Sequence, residues 1–275
     1  MKLPARSSGA NRVAAWGWLV LVPLLQAHDL YLYSSSYTAK PGANASIAMH
    51  NGDAFPRSEG PPVFERVKDA VVIHSSGIQP LRNLRKVGTA GMGDYTVPIG
   101  SYAVAMRTAP NFIGLDPTQF EGYLNHEKLD WVIRWRVDNR EFAKDGRELY
   151  SKHCKALMNL DRDDFALKPV GHTAEIVLLE NPAKSGAGST VAVQVLFRGK
   201  PVEKQSIEAS WSHNGRTERT WVGETNHEGK LMLKLSSAGA WKLHTIIMER
   251  SKRPEQADWE SFWASVSFAV PGKVR

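Results

Sequence analysis

After residue 27 the sequence breaks into short alternating apolar runs, each closed by glycine or proline, and this rhythm does most to limit the possible folds. Leu30 and Leu32 alternate with Tyr31 and Tyr33, and residues 45–50, 71–74 and 102–106 read the same way. Turn signals such as Lys40-Pro41-Gly42 stand between them. Alternation sends successive side chains to opposite faces, so each run buries one face only if a second layer covers it. A chain of such runs builds its core by stacking sheets. The expected class is mainly β, as two sandwich modules of immunoglobulin-like or transthyretin-like type.

The period changes in the middle of the chain. Asp116-Pro117 offers an N-cap followed by proline at the first helical position, and Phe120, Tyr123 and Leu124 then fall at helical spacing. Residues 130–135 read as more helix. A third helical run is expected over 146–157, with Leu149, His153, Ala156 and Leu157 on one side and Glu148–Lys152 as an i,i+4 pair. After Lys168-Pro169 the alternation returns at 173–179, 191–197, 207–211, 220–222 and 231–235. A long hairpin with arms at 239–246 and 262–270 completes it. The expected layout is an N-terminal sandwich over 28–168 carrying a helical insert at about 116–160, then a C-terminal sandwich over 169–275.

Residues 1–27 read as a secretory signal helix. Lys2, Arg6 and Arg12 precede the apolar stretch 14–25, and Ala27 is the small residue at the expected cut. That stretch is too short to cross a bilayer, which takes about twenty apolar residues. Removing the three leader cations from the 35 Lys+Arg leaves 32 against 28 Asp+Glu, so the formal charge falls from +7 to +4. The remaining cations are scattered among acids, which speaks against a nucleic-acid partner. A single cysteine, Cys154, excludes an intramolecular disulfide, and an exported protein without one points to a bacterial periplasmic or secreted protein. No integral membrane segment is expected after cleavage.

Cutting after Ala27 would make His28 the first residue. Its α-amine and imidazole could then close on one Ni, Co, Cu or Zn ion, because amine and imidazole nitrogen suit these metals. Asp29 adds an oxygen donor. His50, at the end of the second run, is the first choice of partner, and His244 the second; alternation turns His244 toward the side of Lys242 and away from Trp241. There is no His-Glu-x-x-His, no Gly-x-Ser-x-Gly and no phosphate-binding glycine loop. Binding is therefore expected rather than catalysis. The metal set His28, Asp29, His50 and His244 is weighed against an envelope interaction role, and against sugar stacking on the tryptophans.

Several motifs together resemble one family. They are Ala27-His28-Asp29 after the leader, Phe120-(x2)-Tyr123-Leu124, Gly146-Arg147-Glu148-(x)-Tyr150-Ser151-(x3)-Lys155 and Gly199-Lys200-Pro201-Val202. Gly239-(x)-Trp241-(x2)-His244-Thr245 and Asp258-Trp259-Glu260-Ser261-Phe262-Trp263-Ala264-Ser265 complete the set. Across essentially the whole mature chain this resembles the DUF4198 family, exported proteins similar to periplasmic NikK/NikM-like accessory components of nickel and cobalt transport. The resemblance implies a membrane metal transporter as partner. The C-terminal part also resembles transthyretin-like and carboxypeptidase-regulatory-like β modules, which are mostly structural.

Overall fold

The computed structural model describes residues 28–272; the leader read at 1–27 lies outside them. The first alternating runs form β1 (Leu30–Tyr33), β2 (Asn44–Asn51) and β3 (Val67–His74). β4 (Gly77–Pro80), β5 (Arg82–Val87) and β6 (Ala90–Thr96) follow in a stretch that sequence reading left unassigned; β5 is exposed along its length. β7 (Tyr102–Thr108) and β8 (Asn111–Leu115) lead to α1 (Pro117–His126). This helix starts where Asp116-Pro117 predicts. The Asp116 carboxylate accepts from the Gln119 backbone N–H, and the Gln119 side chain accepts from that of Asp116, a reciprocal cap. α2 (Asp130–Asp138) follows.

The third expected helix is a strand. β9 (Gly146–Met158) runs through the middle of the largest sheet, parallel to β17 (Trp259–Val270) on one edge and antiparallel to β7 and β8 on the other. Most of its length is buried on both faces, so it shows no apolar alternation to mark it as a strand. The Glu148–Lys152 pairing expected of a helix has no place there. β10 (Ala174–Leu178), α3 (Pro182–Ser185), β11 (Thr190–Phe197), β12 (Lys200–Pro201), β13 (Ser206–His213), β14 (Arg216–Glu224), β15 (Lys230–Lys234) and β16 (Gly239–Arg250) complete the chain before β17.

Three sheets stack as layers. The central sheet has nine strands in the order β14-β13-β16-β17-β9-β7-β3-β4, with β8 also on β9. Strands from both sides of residue 168 share it. Over one face lies β1-β2-β6-β5, whose Leu30, Leu32, Ile47 and Met49 pack on Val104, Cys154, Ala156 and Met158. β10-β11-β12 with β15 cover the other face, where Ile176, Val193 and Leu233 meet Trp241, Leu243 and Phe268. α1 and α2 close a third cluster, Phe120, Leu124 and Val132 against Ile246, Met248, Trp259 and Trp263. Trp241, Trp259 and Trp263 are thus core residues. Among the described residues no helix is long and apolar enough to cross a membrane.

A candidate metal centre above a buried charged seam

The face of the central sheet under β1 carries two apolar clusters, and the strip between them is charged. Glu208 and Ser210 on β13, Lys242 and His244 on β16, Ser261 and Ser265 on β17, and Glu148 and Lys152 on β9 are all buried there. Alternation explains why one strand serves both needs: Trp241 and Leu243 face the opposite core, as expected for the neighbours of Lys242 and His244. Burying an ion costs several kcal/mol unless partners compensate it, so the strip must be paired.

Asp29 is the hub of that pairing. Its carboxylate accepts from Lys242 Nζ, and its Oδ1 lies 3.2 Å from His244 Nδ1. The other ring nitrogen of His244, Nε2, lies 3.4 Å from Glu127, which the C-terminal end of α1 delivers. Arg219 of β14 reaches Glu208 at 2.5 Å. Lys152 Nζ donates to the His28 carbonyl and, at 3.4 Å, to Asn51 Oδ1. β1 is fastened above the strip by hydroxyls: Ser265 donates to the Leu30 carbonyl and Ser267 to that of Leu32, at 2.8 and 2.5 Å.

These contacts move proton affinities. Burial alone raises the Asp29 carboxyl, but His244 and Lys242 overcome it and hold it well below the usual carboxylate range. Burial disfavours charge on His244, yet Asp29 and Glu127 outweigh it and raise the imidazole above its ordinary value. Desolvation brings the Lys152 ammonium down to about 8. It raises Glu148 to about 7, against hydrogen bonds from Ser261 and Tyr123.

His28 sits at the rim of this seam. β1 and β2 pair with Leu30 opposite Asn51 and Tyr31 opposite His50. Two residues further along that register, position 28 falls opposite position 53. The His28 Nδ1 accordingly lies 3.5 Å from Asp53 Oδ2, while its Nε2 lies 3.4 Å from Glu59 Oε2. Nδ1 is shielded from solvent and has no hydrogen-bond partner. Gly52 brings the Glu59 segment close: a Cβ there would lie 3.1 Å from the Glu59 backbone nitrogen. The Asp53 N–H also donates to Glu59 Oε1.

The spacing of these groups can be compared with that of metal ligands. Two ligands each about 2.0–2.2 Å from one tetrahedral or octahedral ion stand roughly 2.9–3.5 Å apart, the separation seen between Nδ1 and Asp53. Nδ1 is also the nitrogen that can form a chelate ring with the α-amine of the same residue. Glu59, on the far side of the ring, is placed to accept the Nε2 proton and so leave the Nδ1 lone pair outward. Among the described residues, no group of three or more His, Cys, Asp or Glu side chains could hold a metal ion.

The other expected ligands lie elsewhere. His50 is three register steps from His28 and on the opposite face of the pair, with its ring against Tyr31 and Tyr33 at 5.4 and 5.2 Å. His244 and Asp29 are joined to each other within the seam, not to the His28 ring. Sequence reading did not put Asp53, Glu59, Glu127, Lys152 or Lys242 in the site. The β1–β2 register was the signal that could have found Asp53.

The profile described as "Domain of unknown function (DUF4198)" matches residues 25–249. No curated protein matches the chain. Among solved structures, the tetra-tandem repeat in the extending region of a large adhesion protein is similar at 12% identity and TM-score 0.23. The match covers 90% of this chain and 50% of that one, so the chain spans half its length. The D0–D1 domain of intimin matches at 11% identity and TM-score 0.20, covering 87% and 97% of the two chains. Dimeric latent PorU from Porphyromonas gingivalis matches at 8% and 0.20, covering 88% and 20%.

Proposed function

The chain belongs to the DUF4198 family, and we propose that it is an exported protein that binds a divalent transition-metal ion at His28 for delivery to a membrane transporter. The observation that carries this reading is the shielded, unpartnered Nδ1 of His28 facing Asp53, with Glu59 on the other ring nitrogen. Cleavage after Ala27 supplies the α-amine. The ion is then held by amine, Nδ1 and the Asp53 carboxylate, with its remaining positions open. An open set of mixed nitrogen and oxygen donors releases its cargo more readily than a closed four-ligand cage, as a delivery protein requires. Nickel or cobalt is the cargo that the family resemblance favours, and copper and zinc suit the same donors. The transporter as partner, the periplasmic location and the transthyretin-like character of the C-terminal half belong to this reading too.

In this arrangement Glu59 fixes the ring tautomer and the Asp29 seam anchors the backbone on which His28 rides. Calorimetric titration with Ni(II), Co(II), Cu(II) and Zn(II) tests the donor set. Protein beginning at His28 is expected to take up one ion per chain, and Asp53→Asn to weaken binding at least tenfold without lowering the melting temperature. Equal affinities in the two proteins would remove Asp53 from the site and leave an envelope interaction role as the better account.

A further inference from the structure

We propose that the small cavity lined by Leu30, Arg66, Tyr150 and Lys152 is a binding site for a short-chain carboxylate anion. The cavity measures about 100 Å³ and lies between β9 and the segment leading into β3. At about 30 Å³ per water in the liquid, that is room for roughly three waters or an anion of acetate or propionate size. Its walls differ. Leu30, Pro61 and Pro62 form an apolar side, and Arg66, Tyr150 and Lys152 a polar one; no acidic side chain lines it.

The polar wall carries unspent donors. Arg66 gives Nη1 to the Tyr150 hydroxyl and Nη2 to the Ala109 carbonyl, each at 3.0 Å, while its Nε is buried without a partner. The Tyr150 oxygen accepts from both Arg66 and Asn111, at 3.0 and 3.1 Å, which occupies its lone pairs and leaves its own proton to donate. Lys152, only 8% exposed, spends two N–H groups on His28 and Asn51 and keeps a third. Two cationic side chains and a phenol therefore line a cavity that no carboxylate lines. A carboxylate offers two oxygens with about four acceptor directions, which hydrogens of the polar wall can fill. The apolar wall takes a methyl or ethyl group, which phosphate lacks. The Arg66 guanidinium rests 4.7 Å over the Tyr150 ring, which holds it in place before any ligand arrives.

This inference does not depend on the metal reading, since the His28 ring takes no part in the cavity. The test uses metal-free protein in chelator-treated buffer at constant ionic strength, titrated by calorimetry with acetate, propionate and phosphate against a chloride blank. One-to-one saturable binding of acetate or propionate is expected, with phosphate weaker. Arg66→Gln is expected to weaken it at least tenfold and Tyr150→Phe severalfold, with anion-free melting temperatures near that of the wild type. If Arg66→Gln does not fold, Tyr150→Phe decides alone. Carboxylate binding no stronger than chloride, tighter binding of phosphate, or unchanged affinity in a folded variant would overturn the proposal.

Discussion

Glu148 and His244 make the seam sensitive to pH, and the signs agree. Burial raises the Glu148 carboxyl from 4.5 to about 7, so the folded protein keeps a proton that the unfolded chain has already lost. Stability therefore falls as pH rises from about 4.5 to 7. Burial by itself lowers His244, but Asp29 and Glu127 raise it above 6.5, and its stabilisation is present in acid and lost as pH rises through that raised value. Asp29, buried yet held low by His244 and Lys242, contributes above 3.8 and fails only in stronger acid. His153 and His172, which burial lowers to about 3, work in the opposite sense and add stability as pH rises toward 6.5, so the seam is read from a variant beside the wild type. Glu148→Gln, a neutral isostere, should gain on the wild type between pH 5 and pH 8, since ionising Glu148 costs on the order of 3 kcal/mol. Parallel melts of the two proteins at pH 5 and pH 8 measure that gain; an unchanged difference between them would contradict this role for Glu148.

At the scale of elements, β9 and α1 depend on each other at one glycine. Gly146 opens β9 directly against the fully buried Phe120 of α1, and a Cβ there would overlap the phenyl ring. Gly146→Ala is expected to cost at least 1–3 kcal/mol, the usual range for overpacking, read as a lower denaturant midpoint at an unchanged slope. The same contact clarifies what the sequence reveals about its elements. α1 was legible because its signals are local: a cap, a proline and two apolar residues one turn apart. β9 was misread because burial on both faces erases alternation, and Leu149, His153, Ala156 and Leu157 happen to fit a helical period. β4 and β5 carry little apolar pattern because they meet solvent, and β6 because two of its three buried positions are Gly91 and Gly93.

Across the whole molecule, the stacked-sheet class was legible and the seam was not. Local alternation announces strands, but the partners in the seam lie far apart in sequence: Lys242 and Asp29 are 213 residues apart, and so are no motif. Ser267 reaches the Leu32 carbonyl across 235 residues, joining the last strand to the first. The division at residue 168 likewise has no counterpart in the central sheet, to which both halves contribute strands. His28 could be singled out from its place after the expected leader, whereas Asp53 became visible only through the register that sets it opposite. Everything in the metal reading rests on His28 being the first residue of the working protein. Calorimetric titration of Ni(II) into protein beginning at His28, beside protein retaining Ala27, tests this most directly. The expected result is one tight site in the first and at least a hundredfold weaker binding in the second, which lacks the amine chelate. Equal binding by the two would contradict it.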